Sequence, residues 1–357
     1  MGEIWMTEIV LCSNCFKDHG LRLDAFNIGI DKNSLCTQCK TENGRKLNKE
    51  LVKKLAYRFF VRGTLHRTYF GGAPVIQFNE QHYKNSSIDV PKWIKDDIKL
   101  IEDTIKVGFF YYGPSLWKVG EVEPLKKLES KSERHEIIHR ILKEYPTRIF
   151  LKKEIIYRLR KEPKYPSNFD EYDSPPLGNE NLGKGRFDSV NFPIMYASQD
   201  LEICVHECRV TVNDNLFLAT LCPTRDLNLL DLTEILDENE TEFECLDMAV
   251  HMLFFAGERS YKITREIAFT AYQAGFDGLI YPSYFSLFRT GAMPFDSVYG
   301  ISVRKFPSYK NHAKSQIIQD IALFGRPIKE ETIAVKCINR LVLNKVKYDV
   351  RFGPVDY

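Results

Sequence analysis

Gly185-Arg-Phe187, Met195-Tyr-Ala-Ser198 and His206-Glu-Cys208 follow one another in the order of a loop, a strand and a helix. Together they bring an arginine, a tyrosine and a glutamate into one short passage. A second passage, Gly275-Phe-Asp-Gly-Leu-Ile-Tyr-Pro-Ser283, ends on a serine just after an apolar run. An arginine, an aromatic ring, a carboxylate and a hydroxyl are the groups needed to hold a pyrophosphate-bearing nucleotide and to strain its glycosidic bond.

Around these passages the chain alternates short strand-like runs with helical patterns, which predicts a mixed α+β architecture. Gly275 suits the left-handed position that closes a helix. The predicted strands are residues 155–159, 194–197, 215–222, 227–230, 279–281 and 297–303, with further β-structure in 331–350. The predicted helices are residues 200–209, 244–257 and 264–274.

The order and residue pattern of the two passages resemble the RES domain, a family named for its Arg, Glu and Ser residues. The resemblance implies an ADP-ribosyltransferase-like fold and an enzyme that breaks down NAD. It also implies that Arg186, Glu207 and Ser283 are catalytic and that Tyr196 belongs to the substrate site, with Arg186 and Ser283 contacting NAD as well. Ser286 is the alternative to Ser283 if the register differs.

Upstream, Tyr157-Arg-Leu-Arg160 is similar to the strand that opens RES domains, so the resemblance covers residues 150 to roughly 300. Alternation along a strand places Arg158 and Arg160 on the same face. Arg158 is predicted to be a second ligand for the pyrophosphate of NAD. For Arg160, the alternative to a contact with the phosphates is an exposed, solvated side chain.

Glu207 is also singled out by its place on the predicted helix. Leu201, Cys204, Val205 and Cys208 form an apolar stripe at i, i+3, i+4 and i+7, and Glu207 falls between that stripe and Ile203. A carboxylate bordered by apolar groups needs a reason to be there. An amphipathic edge residue is the plain alternative, and the motif favours the catalytic interpretation.

Three functions fit these residues. NAD breakdown with phosphate or water as acceptor is the leading hypothesis, and it implies a toxin or antiviral defence effector that depletes NAD. The first alternative is an ADP-ribosyltransferase that modifies a protein or nucleic acid. The second is a zinc-ribbon binding protein whose RES-like part has lost catalysis. The resemblance implies an inhibitory antitoxin or another regulatory protein as partner, while the acceptor and a homo-oligomeric state stay open.

Two cysteine pairs near the start of the chain predict a structural zinc site. Cys12-x-x-Cys15 and Cys36-x-x-Cys39 offer two thiolates each, which together match the four ligands of a zinc ribbon. Two unrelated reduced pairs, or a redox pair, are the alternatives. Because four thiolates leave no open position on the metal, no catalytic role is expected. His19, close by, is expected on the surface.

Bulk composition bounds the class of protein. The chain has 357 residues, 44% of them hydrophobic, and a formal charge of +2, which argues against non-specific nucleic-acid binding by charge alone. No segment has the pattern of a signal peptide or of a membrane span, so a cytoplasmic location is expected. Three regions are predicted: a zinc-ribbon-like segment at 1–50, a mainly helical region at 51–147, and a RES domain with a C-terminal β extension at 148–357.

Overall fold

The protein is described here by a computed structural model. It describes residues 8–68, 71–112, 122–238, 241, 244–286, 297–298, 301–302, 314–315, 317–346 and 350–355. The chain divides into two compact units. The first comprises Met1–His66, Ala73–Gly120 and Tyr348–Tyr357, and the second comprises Arg67–Gly72 and Glu121–Lys347.

The first unit combines three helices with short antiparallel pairs of strands. Its elements are β1 (Ile9–Cys12), α1 (His19–Ile28), β2 (Lys46–Asn48) and α2 (Lys49–Ala56), which continues into a π-helical turn at Tyr57–Val61. Two strands, β3 (Leu65–Thr68) and β4 (Gly71–Pro74), contain residues of both units. The first unit then continues with β5 (Ile76–Asn79), α3 (Lys95–Ile105) and β6 (Gly108–Tyr111). Strand β1 pairs with β2, and β5 pairs with β6.

Polar side chains begin the first two of these helices. Asp18 accepts a hydrogen bond from the Leu21 amide at 2.8 Å, and Asn48 accepts one from the Leu51 amide at the same distance. Each bond satisfies one of the amides that a helix leaves free at its start. Asp97, buried on α3, accepts hydrogen bonds from the amides of Lys17 and Asp18 and so ties α3 to the start of α1.

The second unit is built on one large mixed sheet. Its helices are α4 (Glu123–Glu129), α5 (Arg134–Glu144), α6 (Leu201–Glu207), α7 (Leu246–Phe255) and α8 (Tyr261–Gln273). Its strands are β7 (Thr147–Phe150), β8 (Ile156–Lys161), β9 (Ile194–Ser198), β10 (Leu216–Pro223), β11 (Leu227–Asp231), β12 (Gly278–Pro282), β13 (Ser297–Val298), β14 (Ile301–Ser302), β15 (Gln319–Phe324) and β16 (Ile333–Leu341).

Eight of these strands form the sheet, in the order β16-β10-β8-β9-β15-β12-β11-β7. Neighbouring strands are antiparallel except for β11 and β12, which are parallel. Strand β15 lies between β9 and β12, so that Asp320 stands opposite Ser198 on one side and Tyr281 on the other. The central strands therefore bring together residues that are far apart in the chain.

Apolar side chains on these strands form the main core of the second unit. Its largest fully buried members are aromatic, Phe150 and Tyr172, and aliphatic side chains from β9, β10, β11, β12 and β15 surround them. Burying this much apolar surface against the sheet is the main favourable term in folding. The core therefore fixes the central strands whose ends carry the candidate site.

The mixed α+β architecture is confirmed. Helices were predicted close to α6, α7 and α8, and Gly275 adopts a left-handed φ of +90° after α8. The segment between the cysteine pairs contains the helix α1. Predicted β-structure at residues 331–350 is confirmed for β16, and part of the predicted strand at 297–303 lies outside the described residues. Strand β15 was not predicted.

Within the described ranges, no helix is both long enough and apolar enough to cross a membrane.

Candidate active site

A cavity of about 420 Å³ lies in the second unit, over the central strands of the sheet. Strands β8, β9, β12 and β15 and helix α6 all contribute to its lining. The lining is rich in arginine, tyrosine and acidic side chains, namely Arg158, Arg160, Arg186, Tyr157, Tyr196, Tyr261, Tyr281, Tyr284, Asp188, Glu207 and Asp320. A cavity with convergent charged groups and aromatic walls is typical of a ligand-binding site.

Glu207 and Ser283 meet at this cavity. Glu207 is the last residue of α6 and is exposed, whereas Ser283 follows β12 directly and is buried. The Ser283 hydroxyl donates a hydrogen bond to Glu207 Oε1 at 2.8 Å. The bond holds one carboxylate oxygen of Glu207 in place and leaves the other face of the group open to a ligand.

Asp200 begins the helix that carries Glu207. Its side chain accepts a hydrogen bond from the Ile203 amide, and Arg209 ends the segment with a left-handed φ of +47°. The Ser198 hydroxyl accepts from the Asp200 amide and donates to the Gln319 carbonyl. Ser198 therefore links β9 to β15, and Asp200 is the helix cap.

Ser286, the alternative to Ser283, makes different contacts. Its hydroxyl donates to the Ile318 carbonyl at 3.1 Å and accepts from the Ile318 amide at 2.9 Å. These two bonds tie Ser286 to the chain just before β15. Of the two serines, Ser283 is the one hydrogen-bonded to Glu207.

Arg186 lies at the end of the long loop that precedes β9, and aromatic rings hold its side chain. The guanidinium carbon lies 5.7 Å from the centre of the Phe254 ring and 5.2 Å from that of Tyr261. Cation–π contacts of this kind orient a guanidinium, and Nη1 also donates to the Leu253 carbonyl at 3.5 Å. The Arg186 carbonyl accepts a hydrogen bond from Thr264 at 2.6 Å, which fixes the backbone to α8.

Tyr196 fixes the same loop from the side of the sheet. Its hydroxyl donates to Asp188 Oδ1 at 2.8 Å and accepts from the Phe187 amide at 2.9 Å. Burial raises the pKa of Tyr196 well above its usual value, and the charge of Asp188 adds to the effect. Tyr196 is therefore a neutral donor at physiological pH, and its ring lines the cavity.

Arg158 lines the cavity but is 7% exposed. Its Nη1 donates to the Tyr196 carbonyl at 2.5 Å and its Nη2 to the Asp173 carbonyl at 3.1 Å. Burial lowers the pKa of Arg158 to about 9, helped by the charge of Arg160. Arg158 thus has a structural role next to β9, and its binding of pyrophosphate stays a prediction.

Residues 155–290 match the sequence profile of the RES domain. The predicted resemblance is confirmed for this part of the chain. The match includes Arg158, Arg186, Tyr196, Glu207 and Ser283, whereas Asp320 and the four cysteines lie outside it.

A solved structure also resembles the chain. It is the MbcT–MbcA toxin–antitoxin complex of M. tuberculosis, with 14% sequence identity, 58% of this chain and 92% of that chain covered, and a TM-score of 0.33. No curated protein matches the chain.

The sequence prediction for the RES region missed four residues. Asp188 lies two positions after Arg186, and Tyr261 and Arg265 lie on α8. All three stabilise the loop of residues 183–188 that carries Arg186 (the arginine loop). Asp320 is the second residue of β15 and lines the cavity. The signal for Asp320 was present, since a single acidic residue directly precedes the apolar run Ile321–Phe324. For Asp188, Tyr261 and Arg265, the contacts with the loop are visible only in the folded structure.

Gly185 is expected to be essential for the shape of the arginine loop. A Cβ at this position would lie 1.9 Å from Asp188 Oδ1 and 2.7 Å from the Tyr196 hydroxyl. We expect Gly185→Ala to break the Tyr196–Asp188 contact, displace Arg186 and lower ligand affinity about 10-fold or more, as the loss of a charge-assisted contact does. The measurement is NAD affinity by calorimetry.

Gly257→Ala is the matched control for this substitution. Nothing lies within 4 Å of a Cβ at Gly257, so this variant is expected to bind like the unmodified protein. Equal affinities for the Gly185 and Gly257 variants would show that the loop adapts and that its geometry does not govern binding.

The four cysteines of the first unit lie together, as the spacing predicts. Their sulfur atoms all lie within 4.8 Å of one another. Neighbouring Sγ atoms are separated by 3.8 Å for Cys12–Cys15, 3.4 Å for Cys12–Cys39 and 3.5 Å for Cys15–Cys36. A tetrahedral zinc with bonds of about 2.3 Å needs sulfurs about 3.8 Å apart, so this cluster fits a metal of that size.

Hydrogen bonds order the cluster from outside. The Cys12 amide donates to Cys15 Sγ at 3.4 Å, and the Thr41 hydroxyl lies 3.1 Å from Cys39 Sγ. Lys46 is buried, and its ammonium donates to the carbonyls of Glu42 and Gly44, which closes the loop after the second pair. Such contacts orient thiolate ligands before metal binds.

Proposed function

We propose that the protein cleaves the nicotinamide–ribose bond of NAD. The observation that carries this proposal is the Ser283–Glu207 hydrogen bond of 2.8 Å, at a cavity that Arg160 and Arg186 also line. A carboxylate and guanidinium groups at one cavity suit a substrate that is anionic at its pyrophosphate and cationic at its leaving group. The match of residues 155–290 to the RES domain supports the same conclusion.

Arg186 would bind the pyrophosphate, together with Arg158 or its neighbour Arg160. The Arg186 guanidinium is held by aromatic rings, and Arg160 is half-buried at the cavity. Arg158 donates through both terminal nitrogens to backbone carbonyls, so Arg160 has the freer N–H groups of the two strand residues. Tyr196 would pack its ring against the nicotinamide riboside.

The chemical step would break the bond between the anomeric carbon of the ribose and the ring nitrogen of nicotinamide. The bonding electrons pass to the nicotinamide ring, which leaves neutral, and positive charge develops on the ribose. The Glu207 carboxylate would stabilise that charge, since a fixed anion beside a developing cation lowers the barrier. Phosphate or water then attacks the anomeric carbon, and water loses a proton in the process.

The experiment that tests the proposal is nicotinamide release from NAD by the full chain, with and without inorganic phosphate. Release that rises with phosphate and yields a phosphorylated ADP-ribose would identify a phosphorylase. Release that phosphate does not change would identify a glycohydrolase. If release needs an added protein or nucleic acid that becomes labelled from NAD, the enzyme is an ADP-ribosyltransferase. No binding of NAD at all would overturn the proposal.

The proposed reaction implies a toxin or defence effector that acts by depleting NAD. An enzyme that consumes a central cofactor needs restraint, so an antitoxin or another regulatory protein is part of the proposal. The predicted RES domain with its β extension would carry out catalysis. The predicted zinc-ribbon-like segment and helical region would provide the regulation. In the first unit, Cys12, Cys15, Cys36 and Cys39 would hold a structural zinc ion.

A further inference from the structure

Asp320 is a buried carboxyl group that lines the cavity. It is 3% exposed, and its place on β15 puts it between Ser198 of β9 and Tyr281 of β12. Its Oδ2 has no hydrogen-bond partner among the described residues. Leaving an ionised carboxylate oxygen buried without a partner is costly, so this position requires an explanation.

The groups that face Asp320 come from three elements. Helix α6 contributes Glu207 and Cys204, β12 contributes Tyr281 and is followed by the Ser283 hydroxyl, and β9 contributes the Ser198 hydroxyl. Burial raises the pKa of Cys204 to about 12, and burial raises the pKa of Tyr281 well above its usual value. Both are therefore neutral at physiological pH. Among these groups, Glu207 carries the second carboxyl group.

Asp320 and Glu207 line the same cavity, and two carboxyl groups that interact with each other do not both ionise readily. Burial raises the pKa of Asp320 well above its usual value, and the charge of Glu207 raises it further. The raised pKa agrees with the geometry, in which the more buried of the two groups keeps the proton.

We propose that Asp320 is a positioning residue that holds a proton beneath Glu207 and donates it in a hydrogen bond to the Glu207 carboxylate, so that the two groups carry one negative charge between them. Ser283 donates to the same carboxylate, at Oε1. Two neutral donors then fix the orientation of Glu207 while its charge stays available to the substrate. The effect on catalysis rests on the proposed NAD cleavage, whereas the protonation of Asp320 does not.

The proposal predicts a loss of activity at alkaline pH. When Asp320 loses its proton, Glu207 loses a donor and gains a like charge beside it. We expect kcat for NAD to fall as pH rises through the ionisation of Asp320, while KM changes little because the pyrophosphate contacts are unaffected. Asp320→Asn keeps a neutral donor of the same size, so its kcat near pH 7 is expected to stay within about 3-fold of the unmodified enzyme and to lack the alkaline loss.

Asp320→Leu and Asp231→Asn complete the series. A leucine side chain cannot donate a hydrogen bond. The kcat of Asp320→Leu is therefore expected to be lower than that of the unmodified enzyme by about 10- to 100-fold, the value of a hydrogen bond to a charged group. Asp231, a buried carboxyl group on β11 that does not line the cavity, is the matched control, and its variant should keep the pH profile of kcat. If Asp320→Asn is as inactive as Asp320→Leu, an ionised carboxylate is needed and the proposal is wrong.

Unfolding by urea tests the protonation independently of activity. Because the pKa of Asp320 is raised in the folded protein, its stabilising effect is fully present below the unfolded value of about 3.9 and is lost as pH rises through the folded pKa. Because asparagine stays neutral at every pH, the unmodified protein should lose stability relative to Asp320→Asn as pH rises from about 3.9 through the folded pKa of Asp320. A difference that does not change with pH would overturn the proposal, even if the protein proves not to cleave NAD.

Discussion

Glu207→Gln is expected to lower kcat for nicotinamide release from NAD by about 10²- to 10³-fold, the usual effect of removing one electrostatic stabiliser of a transition state. Glutamine keeps the shape of the side chain and can still accept a hydrogen bond from Ser283. What it removes is the negative charge beside the ribose. Because the arginine loop is untouched, the affinity for NAD should change little. Steady-state kinetics and calorimetry measure the two quantities separately.

Glu202→Gln is the matched control for this substitution. Glu202 lies on the same helix, α6, and is exposed, but it does not line the cavity. The variant makes the same change of charge on the same element and is expected to retain the activity of the unmodified enzyme. Equal losses for both variants would mean that the helix, and not the carboxylate at its end, is needed.

Loss of the metal site is expected to have the second large effect. Cys36 is fully buried within the cysteine cluster, and replacing it with serine removes one of four soft ligands. We expect Cys36→Ser to lose its zinc and the first unit to unfold at lower temperature. Structural zinc contributes about 10–16 kcal/mol to the folding of small zinc-finger peptides, so the change should be unmistakable. Metal analysis and thermal unfolding monitor it.

Cys337→Ser provides the comparison. Cys337 is exposed on β16 and outside the cluster, so this variant should keep its metal and its melting temperature. A strong chelator added to the unmodified protein should reproduce the effect of Cys36→Ser. If the purified chain carries no metal and a chelator changes nothing, the four thiols stabilise the unit without an ion.

Local patterns were enough to predict the helices around the site and the cysteine cluster. An apolar stripe of period 3.6 and a capping position determine a helix such as α6 from adjacent residues alone. The contact between Glu207 and Ser283 could be expected only through the RES resemblance, because 76 positions separate them in the chain. The cysteine spacing indicated a shared metal without any knowledge of the helix between the pairs.

Long-range pairing could not be predicted in the same way. The apolar run Ile321–Phe324 suits several places in a sheet, and nothing within it specifies insertion between β9 and β12. The role of Asp320 follows from that register. In the same way, nothing in the sequence around Tyr196 indicates its hydrogen bond to Asp188, because that bond depends on how the loop folds back onto the strand.

The position of β15 also governs when the site can exist during synthesis. A nascent chain that has emerged only as far as Ser283 already contains every residue of the RES motif, yet β9 and β12 lack the strand that separates and pairs with both. Pairings between distant segments form late in folding, because the entropic cost of closing a long loop comes before the favourable contacts form. Translation products that end before β15 would therefore be inactive, and the proposed NAD cleavage would begin only after β15 has left the ribosome.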